Sequence, residues 1–210
     1  MYKKHFKHKL DTVISLVSLF LLSPLFILIT ILIKRDSKGP AFFSQERVGQ
    51  YGEKFRIVKF RTMLRFEDSY YDDGTPIENY ERITKVGSIL RKTSLDELPQ
   101  LVNVFKGEMS IVGPRPTLAY QVENYNEYHM KRLLVKPGLT GLAQVNGRNS
   151  LSWEEKIDFD VTYVSKLWFI TDVLIFLKTF VVLLKTDKVS FTKHDSISEH
   201  KGNVNEDVNK

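Results

Sequence analysis

Apolar residues fall into three patterns along the chain, and each predicts a different element. Val13 to Ile33 is a run of 21 residues without a charge, and as a straight helix it would reach about 31 Å, enough to cross a bilayer. Pro24 lies in its middle, where it removes a backbone donor, and Ser23 beside it can satisfy a freed carbonyl. Both flanks are basic, so the positive-inside rule is met when both ends stay on one side. The expectation is a re-entrant helix-break-helix; a plain span with a tolerated proline is the alternative reading.

The second pattern is alternation. Lys54 to Ile57 and Val58 to Arg61 each alternate basic and apolar with a phase slip between them. This predicts a strand with a bulge at the slip, one face apolar and the other a cationic row suited to phosphate or simply to solvent. Asp36 to Gly52, with Gly39-Pro40, Gly49 and Ala41-Phe42-Phe43, predicts a strand or hairpin before it. Phe66 to Tyr80 is polar and turn-forming, and reads as a mobile surface loop.

The third pattern is helical spacing. Val86 to Arg91 predicts a short helix, and Leu98, Leu101, Val102 and Phe105 predict an amphipathic one that Gly107 ends. Leu118 to Leu134 is polar and helix-like, and Trp153 to Tyr163 predicts a helix with an acidic face. Val164 to Lys185 is apolar but interrupted by Lys166, Asp172 and Lys178, which suits an interfacial helix better than a span. Thr186 to Lys210 is polar and unpatterned, the composition of a disordered tail. The fold class expected is α+β. Residues 1–35 are expected to form the membrane-embedded hairpin, 36–185 a small folded domain with interfacial helices, and 186–210 the tail.

Charge changes the picture in one respect. The formal net charge of +6 could indicate nucleic acid, but six Lys/Arg against Asp11 lie within residues 1–35, leaving +1 for the rest. The excess therefore points to a membrane surface and away from nucleic acid. The chain has no cysteine, which excludes a disulfide framework and a thiolate metal site.

Candidate chemistry centres on Thr93-Ser94-Leu95-Asp96-Glu97-Leu98-Pro99-Gln100. Adjacent carboxylates in partly apolar surroundings repel, so one takes a proton or a cation neutralises them. A divalent metal, or a phosphate-bearing substrate with its magnesium, would leave one carboxylate free as nucleophile. Ser94-x-x-Glu97 also reads as a capping box, and the two readings are compatible. Gly113-Pro114-Arg115-Pro116 is a rigid turn that holds an arginine, and Lys136 to Asn149 packs three glycines with Lys136 and Arg148. Glycines allow close backbone approach to a ligand, or make an ordinary connection.

Together these pieces resemble the bacterial sugar transferase family, the small monotopic polyprenyl-phosphate phosphoglycosyl transferases. The resemblance runs to about residue 185. It rests on Ser23-Pro24 inside the apolar run, Lys59-Phe60-Arg61-Thr62-Met63, the block from Leu90 to Val104, Lys106-Gly107-Glu108-Met109-Ser110 with Gly113-Pro114-Arg115-Pro116, and Lys136 to Asn149. Glu108 stands where many members carry Asp. The resemblance implies transfer of a sugar-1-phosphate from a UDP-sugar to undecaprenyl phosphate with release of UMP, on the cytoplasmic face of the bacterial inner membrane. It implies Asp96 as nucleophile through a phosphosugar intermediate, Glu97 assisting through Mg2+ bound at the Asp96-Glu97 pair, and Lys59, Arg61, Arg115 and Arg148 as phosphate contacts. The non-enzyme alternative is a membrane-tethered scaffold of polysaccharide assembly, in which Asp96-Glu97 is only a cap.

Overall fold

A computed structural model of the chain describes residues 2, 6–71, 75–78, 80–147 and 150–184. The tail expected over 186–210 lies outside the described residues. Helix α1 (Lys7–Asp36) takes in the whole apolar run. The break expected at Ser23-Pro24 is instead continuous helix. Pro24 has no N–H for the Phe20 carbonyl four residues back, and the Ser23 hydroxyl donates to that carbonyl at 2.7 Å, so the helix carries through the proline.

One stripe of α1 faces inward along its length. Lys7, Asp11 and Ser15 are buried towards its start and Ile29 and Ile33 towards its end, whereas Phe20, Leu21 and Ile27 on the other side are exposed. Steps of three and four residues keep these positions on one helical face. Asp11 accepts hydrogen bonds from the Ser110 hydroxyl at 2.6 Å and the Ile111 N–H at 3.2 Å. Lys7 reaches Asp172 at 2.5 Å, and Tyr2 and Tyr163 also donate to that carboxylate. Asp172 belongs to α8 (Phe169–Leu184), the expected interfacial helix. Its acid is turned inward to these partners, as a buried charge requires. The outer side of α8 shows Ile170, Leu174 and Leu177 to the surroundings.

Strands β1 (Phe42–Val48) and β2 (Lys54–Phe60) form an antiparallel ribbon. Its register runs one to one from Phe42↔Phe60 to Val48↔Lys54, so the predicted bulge is absent. The ribbon is covered on both sides: Ile57 packs with Leu101 and Val104, while Phe60 packs with Ile29, Ile33 and Leu90. The slip in apolar phase therefore marks a change in which face is covered, not an inserted residue.

Helix α2 (Lys85–Thr93) is capped by Thr84, whose side chain accepts from the Gly87 N–H. It passes so close to β2's continuation that a Cβ on Gly87 would lie 2.0 Å from the Thr62 carbonyl oxygen. Ser94, at φ 56°, ends α2 and makes no side-chain cap. The capping-box reading of Ser94-x-x-Glu97 thus fails, because Ser94 serves the preceding helix. Leu95–Gln100 is a 3-10 turn leading into α3 (Leu101–Phe105), and Gly107 at φ 80° follows α3 in the turn that redirects the chain.

Asn103 on α3 is fully buried and holds β2 in place. Its amide donates to the Arg56 carbonyl and to Glu108, both at 2.7 Å, and accepts from the Val58 N–H at 3.1 Å. Strand β3 (Ser110–Val112) pairs in parallel with β4 (Gly138–Thr140). Between them, the stretch expected to be helix-like from Leu118 to Leu134 divides into α4 (Ala119–Val122), α5 (Glu127–Met130) and a 3-10 turn. After β4 come α6 (Leu142–Asn146) and α7 (Trp153–Ser165), the latter opened by a capping box from Ser152 and Glu155. A Cβ on Gly138 or Gly141 would fall 2.0 or 2.1 Å from the backbone of Gly113. These glycines serve a close crossing of two chain segments, and ligand approach is not what they are needed for.

Candidate active site

The turn after α2 aims the Asp96-Glu97 pair into a cleft of about 1440 Å³. Its walls are of two kinds. Lys59, Arg91 and Arg115 line it beside the carboxylates, while Leu22 and Leu25 of α1 and Phe176 and Phe180 of α8 supply an apolar side. Ser23 and Pro24 lie between two lining residues without lining the cleft themselves.

The two carboxylates have opposite surroundings. Glu97 Oε1 receives Lys59 Nζ at 2.9 Å and an Arg115 terminal nitrogen at 2.7 Å, and Oε2 receives the other Arg115 nitrogen at 3.2 Å. Burial pushes the Glu97 carboxyl up, but Arg115 and Lys59 outweigh it and hold this group well below the usual carboxylate range. Asp96 has no hydrogen-bond or ion-pair partner among the described residues. Burial first, and then the Glu97 charge, push its carboxyl up to about 6, against the pull of Lys59, Arg91 and Arg115. The result is an ionised clamp next to a carboxylate without a partner, the kind of perturbed pair that marks a candidate functional site.

The supporting residues explain how the cations are placed. Lys59 sits on β2, the strand pinned by Asn103. Arg115 follows the Gly113-Pro114 turn, and its carbonyl accepts from Arg132 at 3.0 Å. Arg132 is itself buried against Asp160 at 2.6 Å and donates to the Tyr125 hydroxyl at 2.6 Å. Arg91 donates to Thr62 Oγ1 at 2.8 Å. Of the predicted phosphate contacts, Lys59 and Arg115 meet at Glu97. Arg61 lines the same cleft without meeting Glu97: its guanidinium donates to the Ser37 and Lys38 carbonyls at 3.0 and 2.6 Å, just past the end of α1. Arg148 lies outside the described residues. Arg132, Asp160 and Gln144 also line the cleft, and sequence reasoning passed over them because no spacing pattern links them to Asp96.

Magnesium can be tested against the donor set. Among the described residues no group of three metal-ligating side chains is found. Two adjacent carboxylates, one of them partnerless, suit an ion that completes its shell with substrate phosphate and water, as magnesium does. A diphosphate would also compete with Glu97 for Arg115 and Lys59. The residues present fit the ion on those terms.

A partnerless carboxylate among cations, at the junction of a polar and an apolar wall, suits an anionic ligand that also carries an apolar part. Comparison with known proteins makes this specific. Residues 2–186 match the bacterial sugar transferase family. The chain is 39% identical over 187 residues to the exopolysaccharide production protein ExoY of Rhizobium meliloti, covering 82% of this chain and 83% of that one. It is 45% identical over 169 residues to the uncharacterized sugar transferase EpsL of Bacillus subtilis, covering 80% and 82%. Against the undecaprenyl-phosphate galactose phosphotransferase of Salmonella typhimurium it is 39% identical over 195 residues, 86% of this chain but 41% of that longer protein. The protein belongs to the bacterial sugar transferase family.

Proposed function

We propose that the protein transfers a sugar-1-phosphate from a UDP-sugar to undecaprenyl phosphate, releasing UMP, in the first membrane step of making an exopolysaccharide, capsule or related glycoconjugate. The observation that carries this reading is the partnerless Asp96 carboxylate beside a Glu97 already gripped by Lys59 and Arg115, in a cleft with both a cationic and an apolar wall. The names of relatives, which include galactose and glucose phosphotransferases acting on undecaprenyl phosphate, support the substrate class.

In the first step an Asp96 carboxylate oxygen bonds to the sugar-bearing phosphorus, and the bond from that phosphorus to the bridging oxygen breaks. UMP leaves with that oxygen and its electron pair. In the second step an oxygen of the lipid phosphate attacks the same phosphorus, the acyl-phosphate bond breaks, and the Asp96 carboxylate is restored. Glu97 holds Lys59 and Arg115 where they meet the phosphates, and Arg148 contacts the nucleotide side. Magnesium, held by the Asp96-Glu97 carboxylates together with the diphosphate, would supply charge neutralisation for this anionic encounter.

The apolar faces of α1 and α8 seat the enzyme in the cytoplasmic leaflet of the inner membrane, with residues 36–185 forming the catalytic domain in the cytosol. Two contacts support a monotopic seating. Lys7 near the start of α1 binds Asp172, and Asp36 at its end accepts from the Val86 N–H at 2.9 Å. A crossing that took either end through the bilayer would break one of them and expose a buried charge.

The decisive experiment is nucleotide release from purified protein with magnesium, undecaprenyl phosphate and a panel of UDP-sugars. UMP from the wild type, lost in Asp96→Asn, is the expected result. UDP in place of UMP would sink the phosphosugar mechanism, since the sugar would have moved without its phosphate.

A further inference from the structure

Two of the cleft-lining residues with unpartnered buried polar atoms, Gln144 and Asp160, lie on neighbouring helices. The Gln144 side chain on α6 has its amide nitrogen and its oxygen both buried and both without a hydrogen-bond partner. Asp160 on α7 is 1% exposed, and while one oxygen pairs with Arg132, its Oδ1 is buried and unpartnered. Each such atom carries a desolvation penalty that folding would normally remove by pairing it. Both residues line the same cleft as Asp96, and α6 packs on α7. Trp153 and Lys156 lie on the same face of α7 as Asp160, at helical spacing, and line the cleft as well.

A short chain of contacts ties this wall to the reacting centre. Asp160 pairs with Arg132 at 2.6 Å, Arg132 donates to the Arg115 carbonyl at 3.0 Å, and Arg115 grips Glu97 at 2.7 Å. The wall is therefore joined through Arg132 to the arginine that grips Glu97.

The inventory of unpaired atoms distinguishes the two fragments of a UDP-sugar. The wall offers two unpaired acceptors, Gln144 Oε1 and Asp160 Oδ1, with one donor group, the Gln144 amide. The pairing edge of uracil has a single N–H between two carbonyl oxygens, so it can feed only one of the two acceptors. A sugar ring presents adjacent hydroxyls, each of them donor and acceptor, and can satisfy both. The indole of Trp153 adds an apolar surface for the C–H face of a ring.

Resting on the proposed function, we infer that Gln144 and Asp160, with Trp153 beside them, form the subsite that reads the hydroxyls of the transferred sugar. They act on specificity, and the reacting atoms stay with Asp96. A site built to hydrogen-bond a hydroxyl rejects the epimer that misplaces it, because its own polar atoms are then left unpaired.

The test uses the full chain in detergent with UDP-galactose, UDP-glucose and UDP-N-acetylgalactosamine, scoring UMP release, alongside UMP binding measured by itself. Gln144→Leu removes the amide on a short helix where that side chain has no partner to lose, and Asp160→Asn keeps the shape next to Arg132. The expected result is a fall of about tenfold to a hundredfold in kcat/KM for the preferred sugar, with its preference over the other two donors narrowed to about threefold or less, and UMP affinity unchanged within about twofold. Unchanged sugar preference with weakened UMP binding overturns the inference in favour of a nucleobase subsite. An equal loss on all three donors also overturns it, since that is the signature of positioning alone. A wild type that releases UMP from none of them fails the proposed function and takes the subsite with it, whereas an active wild type with unaltered variants fails the subsite alone.

Discussion

Arg115 grips Glu97 through both terminal nitrogens, at 2.7 and 3.2 Å, while the neighbouring Asp96 carboxylate has no partner among the described residues. Consecutive acids in a 3-10 turn project in different directions, so one chain turn can serve a clamp and a nucleophile at once. The fork is the part a lysine cannot reproduce. Arg115→Lys is expected to lower kcat/KM for UMP release about tenfold and Arg115→Ala about a hundredfold, with little change in melting temperature because the Arg115 side chain is half exposed. A variant that kept full activity would remove Arg115 from the site.

The pH profile should report Asp96. Its carboxyl lies near 6 because of burial and the Glu97 charge, so the reactive carboxylate is lost as pH falls through about 6, and kcat/KM should decline on that side. Glu97→Gln removes the like charge and frees Lys59 and Arg115 to act on Asp96. In that variant the acid limb should move to lower pH even though the overall rate drops. An acid limb that stays in place would mean that another group controls it.

Asp96 should also be a stability liability. Its folded-state value of about 6 stands above the ordinary 3.8, so folding favours the protonated form, and the stability this gives is present below about pH 4 and lost as pH rises through about 6. One pKa unit corresponds to about 1.4 kcal/mol, and partial solvent exposure discounts it, so Asp96→Asn should stabilise the fold by about 1 to 2 kcal/mol at pH 7.5 and by nothing near pH 3.5. Denaturant melts of both proteins at the two pH values make the comparison.

Arg61 should behave as a structural residue. It is 7% exposed and spends its fork on the Ser37 and Lys38 carbonyls. Arg61→Ala leaves those oxygens without a charged donor, and the expected loss is about 2 to 4 kcal/mol. The KM for the UDP-sugar should hold in whatever fraction stays folded. A raised KM with unchanged stability would return Arg61 to phosphate binding.

The absence of cysteine permits a direct test of how α1 sits. Lys9→Cys and Lys38→Cys bracket the helix on its exposed flanks. A membrane-impermeant thiol reagent should label both from the cytoplasmic side of the inner membrane and neither from the periplasmic side. Labelling of one residue from each side would establish a span.

Much of the fold was legible in the chain because the relevant physics is local. The uncharged run from Val13 to Ile33, the turn residues around Gly39-Pro40, the short helix before Ser94 and the mixed apolar and charged pattern of α8 each depend on spacing and composition within one segment. The Ser23 hydroxyl's bond to the carbonyl orphaned by Pro24 is likewise a matter of neighbours. Where prediction failed, the cause was in some places a contact between distant segments and in others a neighbour already in use. The expected bulge in β2 was a straight strand because two separate clusters cover its two faces, and the apparent capping box dissolved because Ser94 had already been used to end α2.

By itself the sequence determined that a long apolar segment with basic flanks precedes a nearly neutral, turn-rich domain and that two acids stand side by side at Asp96 and Glu97. Local spacing dictates those facts whatever the rest of the chain does. Only the tertiary structure decided which acid is clamped and which is free, that Arg61 faces α1 while Arg115 faces Glu97, and that Gln144 and Asp160 share a cleft with Asp96. Such assignments depend on where β2, the Arg115 turn and α7 converge, and burial there separates two identical functional groups whose positions in the chain differ by one.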